Sequence, residues 1–333
     1  MVVMKKFINK PEDLTSELLE GLAMAHDDVL ELHPDNIVVS KALADADRVT
    51  VVSFGGSGHE PAIEGYVGEG MLDICVCGDI FAAPGPGPVV EAIKLADKGH
   101  GVILVVLNHA GDMLTGNLVM KECAKLGIKV AKIVTQEDIM TAPREDADNR
   151  RGFVGCCPLY KLAGGAAKQG KSFEEIAEMA QYFADNMAAI SITAKTCTHP
   201  SNGAPLGELA DNMIGIGMGQ HGEGGGYQIE LCTADEVIAI AAEKLVDDLK
   251  LVAGEEVMVV VDGIGGMTVM EQLICYRSTV KYLEAKGIKV VAKWVDEILT
   301  VQEAAGFQLF VARMTPEMVA HWDAPCKAAY LKK

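Results

Sequence analysis

Short runs of apolar residues alternate along the first half of the chain with longer stretches in which apolar residues recur at helical spacing. The runs are rich in Val, Ile and Leu and lie next to turn-forming residues, so they predict buried strands. They cover residues 48–54, 72–76, 101–107 and 128–134. The periodic stretches predict helices, and they cover residues 11–32, 89–96 and 112–126. This order predicts a parallel, doubly wound sheet.

The second half predicts the same alternation after two helices, the second of which covers residues 172–190. Residues 208–219 continue this alternation. Helices are predicted over 233–249 and in a segment that ends near Lys286, and strands over 256–262, 288–291 and 307–312. Residues 196–207 are rich in Thr, Pro, Ser, Asn and Gly, which indicates a loop near a domain boundary. We therefore expect an α/β protein of two domains, 1–187 and 188–333, each a β-sheet flanked by helices with mostly βα alternation.

The charge and the apolar runs exclude several classes of partner. The chain of 333 residues has a formal charge of −18, which repels nucleic-acid phosphates and anionic membranes, so we expect neither partner. The longest apolar runs have the length of strands and fall below the roughly 20 residues needed to cross a bilayer. Residues 1–7 contain no long hydrophobic stretch, so we expect no signal peptide.

The cysteines indicate a reducing compartment. There are nine, an odd number, and most lie in apolar segments, as small buried residues of a cytoplasmic protein would. No Cys-x-x-Cys pair occurs. Cys75 and Cys77 lie in a predicted strand with both sulfurs on one side, and we expect them to pack in the core rather than to bind a metal.

Two histidines lie in glycine-rich segments, and each is accompanied by a glutamate. His59 directly precedes Glu60 in segment 55–61, and His221 lies two positions before Glu223 at the end of a run of alternating glycines. Such glycine-rich backbone is unsuited to a helix interior, which indicates a site rather than a packing element. A neutral imidazole can attack a carbonyl carbon or exchange protons. Because ligands of open α/β sheets bind where strands end, we expect one pocket to contain His59, Asp112 and the backbone around Gly56.

Each of these motifs also has a purely structural interpretation. The glycines before His59 lack the order of a dinucleotide loop and the Lys-Ser/Thr ending of a phosphate loop, so a tight strand-to-helix turn is equally consistent. Asp112 precedes a helical stretch and is expected at least as often to cap a helix. His221 alone could be a solvent-exposed loop residue. His109 and His199 have no evident role.

At these motifs the chain resembles the K subunit of dihydroxyacetone kinase, the ketose-binding component of a multi-subunit kinase. Agreement is dispersed nearly from end to end, which makes it more specific than any single motif. The matching stretches cover residues 5–9, 55–61, 65–68, 78–81, 108–112, 150–152, 209–212, 217–223 and 322–325.

The resemblance implies a role for each site residue. His221 matches the histidine that adds to the ketone carbon and forms a hemiaminal, Asp112 matches the carboxylate that accepts the substrate hydroxyl's proton, and His59 matches a partner that assists proton movement. Gly56 matches a backbone contact to the ligand. The substrate-binding set that we expect around these residues is Gly56, Ser57, Gly58, Asn108 and Gly111, and we expect no metal site.

The resemblance also implies partners. This chain is expected to hold no cofactor, while a second, nucleotide-binding subunit carries ADP or ATP with magnesium. Phosphate would come directly from ATP or through a sugar phosphotransferase protein. A cytoplasmic homodimer is implied as well.

Several positions depart from the family pattern next to the expected pocket. Leu107 stands where bacterial members often carry lysine, His109 replaces an aromatic or similar residue, Ala83 replaces a serine, and Gly224 replaces a proline. These changes leave room for a different short ketose, such as erythrulose. They also leave open an alternative in which the chain is a ketose-binding regulator that acts as a transcriptional coactivator without kinase activity.

Overall fold

A computed structural model of the chain describes residues 5–333. The expectation that no signal peptide is present rests partly on residues 1–4, which lie outside the described residues.

The first sheet has six strands and combines parallel and antiparallel pairing. The strands of the first half are β1 (Leu30–His33), β2 (Ile37–Ser40), β3 (Thr50–Ser57), β4 (Gly68–Glu69), β5 (Ile74–Ile80), β6 (Val102–Leu107) and β7 (Val130–Thr135). The strand order is β1-β2-β5-β3-β6-β7. Strands β5, β3, β6 and β7 are parallel, whereas β1 and β2 form an antiparallel hairpin at one edge. The helices of this half are α1 (Leu14–Ala25), α2 (Pro86–Ala96), α3 (Ala110–Leu126), α4 (Cys156–Lys168) and α5 (Phe173–Asp185).

The second sheet also has six strands, but it is mostly antiparallel. Its members are β8 (Met187–Lys195), β9 (Met213–Ile216), β10 (Tyr227–Glu230), β11 (Glu256–Gly263), β12 (Lys289–Glu297) and β13 (Ala305–Arg313), and β14 (Lys327–Ala328) pairs separately with β4. The strand order is β10-β9-β8-β13-β11-β12, and only β11 and β12 run parallel. The helices are α6 (Ala234–Leu249), α7 (Val269–Ala285) and α8 (Pro316–Asp323).

The two sheets share one buried layer. Residues of both sheets belong to the same cluster as α4 and α5, and Phe183 of α5 packs on Phe310 of β13 with ring centroids 6.1 Å apart. Helices α2 and α3 cover the other face of the first sheet, and α6 and α7 cover the other face of the second. All of β6 is buried, because Val105 faces the shared layer while Leu104 faces the outer helices.

The predicted fold class is confirmed, while several boundaries differ. The helix predicted over 11–32 ends at Ala25, and its last predicted residues belong instead to β1. Asp35 and Asn36 adopt left-handed conformations in the turn that pairs β1 with β2. The helix predicted over 172–190 ends at Asp185, and β8 begins at Met187. The second half also combines strands with flanking helices, but four of its five strand pairs are antiparallel, unlike the parallel core of the first sheet.

The division into two domains at 187/188 stays a prediction. The chain passes from the first sheet to the second between β7 and β8. The core is continuous across this point, since the largest buried cluster draws on both sheets. Within residues 5–333, every helix is too short or too polar to cross a bilayer.

Tyr66 ties the two halves together and offers a test of the shared core. Its hydroxyl donates to the carbonyl of Ile298 at 3.0 Å, and the ring is 1% exposed. We expect Tyr66→Phe to lower the free energy of unfolding by about 1–2 kcal/mol, because the buried carbonyl loses its donor. Denaturant unfolding measures this loss. Tyr182→Phe, at a side chain that is 41% exposed, is the control and should change stability by less than about 0.5 kcal/mol. Equal stability of Tyr66→Phe and the unmodified protein would contradict this role.

Candidate active site

A cavity of about 610 Å³ lies between the two sheets and brings together the three residues expected to carry chemistry, His59, Asp112 and His221. Two come from the first sheet at its carboxyl edge: His59 follows β3, and Asp112 lies in the segment after β6. His221 belongs to the loop between β9 and β10 of the second sheet. The cavity therefore depends on loops from both sheets.

Glu223 orients the ring of His221. One carboxylate oxygen accepts from the backbone N–H of His221 at 2.8 Å, and the other lies 2.9 Å from Nδ1. Burial raises the pKa of Glu223, but the hydrogen bond and the charge of His221 outweigh it and lower this pKa to about 2. Glu223 is therefore a carboxylate that fixes a proton on Nδ1 and directs Nε2 away from itself.

Thr300 orients His59 in a comparable way. Its carbonyl oxygen lies 2.7 Å from Nδ1 of His59, and a carbonyl only accepts, so Nδ1 carries the proton. Burial and the charge of His221 lower the pKa of His59 to about 3, against the bond to Thr300, which raises it. His59 is therefore neutral near pH 7, and its Nε2 presents a lone pair.

The two rings meet through these remaining nitrogens. Nε2 of His59 and Nε2 of His221 are 3.0 Å apart, and Nε2 of His59 can only accept. The hydrogen-bond partners thus assign a proton to Nε2 of His221, which becomes an imidazolium beside the Glu223 carboxylate. Phe81 packs against both rings, with centroids 5.1 Å from His59 and 4.7 Å from His221. One proton therefore lies between the two histidines, at the cavity.

Asp112 lies in the first turn of α3, not at its cap. His109 is the N-cap residue and forms no side-chain cap bond, so the capping interpretation of Asp112 is wrong. Burial raises the pKa of Asp112 to about 7, although a backbone hydrogen bond and the charge of His221 lower it. Its Oδ1 is buried and has no hydrogen-bond partner within the part of the chain that the structure describes. Near neutrality the carboxyl group can therefore either accept or release a proton.

Thr300 and Asp262 together hold the loop that carries His59. Thr300 donates its N–H to the carbonyl of His59 at 3.0 Å and its hydroxyl to the carbonyl of Glu60 at 2.7 Å. Asp262 accepts the N–H groups of Ile298 and Leu299 at 2.8 and 3.0 Å, and so fixes the segment before Thr300.

Arg151 supports the loop that carries His221. Its guanidinium pairs with the buried carboxylate of Asp138 at 2.7 Å. It also donates to the carbonyls of Gly224 and Gly217 at 3.1 and 3.4 Å. The stretch 150–152, one of those that match the family, thus contributes a cation that holds the glycine-rich loop.

The predicted substrate-binding residues divide into two groups. Gly56 and Gly111 line the cavity, and a Cβ at Gly56 would lie 2.6 Å from the backbone nitrogen of Ala82, so this position requires glycine. Ser57, Gly58 and Asn108 are not part of the lining. The Ser57 hydroxyl donates to the Gly78 carbonyl at 2.7 Å, and the Asn108 amide donates to the carbonyls of residues 148 and 150. The Gly58 N–H donates to Oε1 of Glu60 at 2.6 Å, so the polar groups of all three residues are used elsewhere and direct contact with a ligand is not favoured.

The positions that depart from the family pattern lie on the cavity wall. Leu107, Ala83 and His109 all line it, and no lysine or arginine among residues 5–333 is part of the lining. Nε2 of His109 donates to the Gly152 carbonyl at 2.9 Å, and burial lowers the pKa of His109. Leu107, Ala83 and the neutral ring of His109 therefore leave this part of the wall uncharged.

The Dak1 domain family matches residues 20–330 of the chain. The dihydroxyacetone-binding subunit DhaK of the PTS-dependent dihydroxyacetone kinase of Lactococcus lactis subsp. lactis is 35% identical over 310 residues, which cover 93% of each chain. L-erythrulose 1-kinase of Mycolicibacterium smegmatis is 32% identical over 333 residues, which cover 97% of this chain and 57% of that protein. Among solved structures, the dihydroxyacetone kinase operon co-activator Dha-DhaQ has a TM-score of 0.89 at 26% identity, covering 96% of this chain and 98% of that one.

The raised pKa of Asp112 predicts a pH-dependent effect on stability. The carboxyl binds its proton more tightly in the folded state, so folding loses stability as the pH rises from about 4 to about 7. We expect Asp112→Asn to stabilise the ligand-free protein by up to about 4 kcal/mol at pH 8, and progressively less toward pH 4. Thermal unfolding at several pH values measures the difference.

Asp79→Asn is the matched control, since Asp79 is an exposed carboxylate near the end of β5. For this exposed side chain we expect a change in stability of less than about 0.5 kcal/mol. If the stability gain of Asp112→Asn is the same at pH 5 and pH 8, the pKa of Asp112 is not raised.

Proposed function

Because the chain belongs to the Dak1 domain family, to which the K subunits of dihydroxyacetone kinase belong, we propose that it is the substrate-binding subunit of a short-chain ketose kinase. The ketose is bound covalently, as a hemiaminal on His221. The observation that supports this most is the pair of Nε2 atoms of His221 and His59, 3.0 Å apart on a cavity that also contains Asp112. The similarity to a dihydroxyacetone-binding subunit of nearly equal length adds to it.

The proton between the histidines has a role in forming the adduct. As Nε2 of His221 passes its proton to Nε2 of His59, its lone pair becomes free to bond to the carbonyl carbon. The C=O π electrons move to the oxygen, which takes the proton from His59. His59, with a pKa of about 3, releases that proton readily. The positive charge stays on the alkylated imidazole, beside the Glu223 carboxylate.

This chemistry selects ketoses over polyols. A carbonyl carbon is an electrophile, whereas an alcohol carbon of glycerol offers none to the imidazole. The adduct also fixes the substrate in place, which orients the hydroxyl next to the carbonyl for transfer. The neutral cavity wall at Leu107 and Ala83 is consistent with an uncharged sugar.

Asp112 is the proposed base for transfer. The hydroxyl oxygen attacks the phosphoryl group of the donor, its O–H bond breaks, and Asp112 takes the proton. With a pKa of about 7, half of the carboxyl groups are ready to accept a proton at neutral pH, and the rate is expected to rise with pH through this value.

The phosphoryl donor belongs to a partner in this proposal. The similar Lactococcus protein is a subunit of a kinase whose name states PTS dependence. A nucleotide-binding subunit with ADP or ATP and magnesium is therefore proposed, charged by ATP or by a phosphotransferase protein. A homodimer located in the cytoplasm is part of the same proposal.

Two ketoses are candidates. Dihydroxyacetone is named for the Lactococcus relative and L-erythrulose for the Mycolicibacterium relative. Relative to the family pattern, Leu107 replaces a lysine and His109 replaces an aromatic or similar residue. The ring centroid of His109 lies 6.1 Å from that of His221, so both changes alter the cavity wall beside His221. We therefore propose a four-carbon ketose as a candidate substrate in addition to the three-carbon one.

A regulatory function is the second candidate. The co-activator Dha-DhaQ has a TM-score of 0.89 with this chain, so the same fold occurs in a protein of that role. The presence of both His59 and Asp112 on the cavity favours the kinase, because a binding regulator does not need a base for transfer. Whether a nucleotide-binding subunit is encoded next to this chain separates the two.

His221→Ala should abolish the covalent adduct. We expect native mass spectrometry of the unmodified protein with dihydroxyacetone or L-erythrulose to show the mass of one bound ketose, and the variant to show none, because the nucleophile is absent. His100→Ala, at an exposed histidine paired with Asp47, is the control and should keep the adduct. An unchanged adduct in His221→Ala would remove this residue as the nucleophile.

Asp112→Asn should separate binding from transfer. We expect the adduct to form as before, while kcat falls by roughly 10²–10⁴-fold, because the base is lost. Ketose phosphorylation is measured with the nucleotide-binding subunit encoded beside this chain and with ATP or the phosphotransferase proteins. Full activity of Asp112→Asn would refute its role as base. An adduct without transfer in the unmodified protein would favour the regulator.

A further inference from the structure

One group of buried side chains outside the active site can ligate a metal. Among residues 5–333, Glu64, Cys75 and Cys77 bring a carboxylate oxygen and two sulfurs within 4.8 Å of one another. Their exposed fractions are 2%, 0% and 4%. The cysteines are two positions apart on β5, so both point to one face of the sheet, and Glu64 begins the short turn before β4. No step of the ketose chemistry uses them.

The spacing of these donors suits a tetrahedral cation. Sγ of Cys75 and Sγ of Cys77 are 3.9 Å apart, and Sγ of Cys77 lies 3.9 Å from Oε2 of Glu64. A zinc–sulfur bond is about 2.3 Å long, which places two sulfurs of a tetrahedral site about 3.8 Å apart. A cation could therefore bond to both sulfurs with little movement of β5.

The second oxygen of Glu64 supplies a fourth donor. Oε2 already accepts the N–H of Ile63 at 2.9 Å, whereas Oε1 is buried and has no hydrogen-bond partner among the described residues. A buried polar atom without a partner is costly, and coordination by both carboxylate oxygens would satisfy it. The donor set is then two sulfurs and two oxygens, which suits a borderline cation such as zinc and is a poor set for magnesium or calcium.

We infer that Glu64, Cys75 and Cys77 form a closed structural site for a thiophilic divalent cation of the zinc class. The ligands bind in their deprotonated forms, so the protons that they carry are released on loading. Two thiolates and one carboxylate leave one net negative charge with a divalent cation. The site joins β5 to the turn that follows Ile63, and Ile63 lines the ketose cavity. The cation would therefore stiffen one wall of that cavity without contacting the substrate.

Cobalt titration of the full chain tests this site. The protein is freed of metal with a chelator under reducing conditions, and Co²⁺ is added while the absorption spectrum is recorded. We expect one equivalent to produce a thiolate-to-cobalt charge-transfer band and intense tetrahedral visible bands, both removed by zinc. Cys75→Ser and Cys77→Ser should each weaken binding by at least about 10–100-fold, since even loss of an outer partner has an effect of that size.

Cys123→Ser and Cys275→Ser are the controls, because both are buried cysteines outside the group, and they should keep the band. A folded protein that gives no charge-transfer band at one equivalent overturns the site, as does an unchanged band in both Cys75→Ser and Cys77→Ser. Cobalt bands without charge transfer indicate surface binding only and also overturn it. If the serine variants do not fold, the test uses Glu64→Gln and measures how much zinc raises the unfolding temperature. We expect a larger rise for the unmodified protein than for Glu64→Gln. Equal rises overturn the site.

Discussion

The site depends on one contact, the approach of two imidazole Nε2 atoms to 3.0 Å. Two lone pairs at this distance repel, so the contact is stable only with a proton between them. The location of that proton is determined by what lies behind each ring. Glu223 and Thr300 each hold an Nδ1–H, which leaves the two Nε2 atoms to share the remaining proton at the cavity. In the proposed mechanism, the ketose oxygen takes this same proton when the ketose carbon bonds to His221.

The fold makes this contact possible by placing loops of two sheets opposite each other. His59 follows a parallel strand of the first sheet, whereas His221 lies between two antiparallel strands of the second. A shared layer of helices fixes the distance between the sheets, and Thr300 and Arg151 bind the loops on each side. The 3.0 Å distance between the two imidazole rings therefore depends on buried packing far from the cavity, because a small shift of one sheet relative to the other would break this contact.

Much of the fold follows from local patterns, and part of the site does not. The strands near β3, β5, β6 and β7 were predictable because each is an apolar run next to a turn. Strand direction in the second sheet was not, since a run buried on both faces has the same composition in parallel and antiparallel sheets. His59, Asp112 and His221 follow glycine-containing motifs or strand ends and line one cavity, while their roles stay predictions. The carbonyl of Thr300 has no sequence signal, because any residue can supply a backbone acceptor, and it lies 241 positions from His59.

A one-bond scalar coupling measures the proposed bond itself. The protein is labelled with ¹⁵N in its histidine rings and is combined with dihydroxyacetone or L-erythrulose labelled with ¹³C at the carbonyl carbon. The proposed mechanism predicts that this carbon becomes tetrahedral and couples to a single imidazole nitrogen, Nε2 of His221. A ketose that occupies the cavity with its labelled carbon uncoupled to any nitrogen would contradict the central claim.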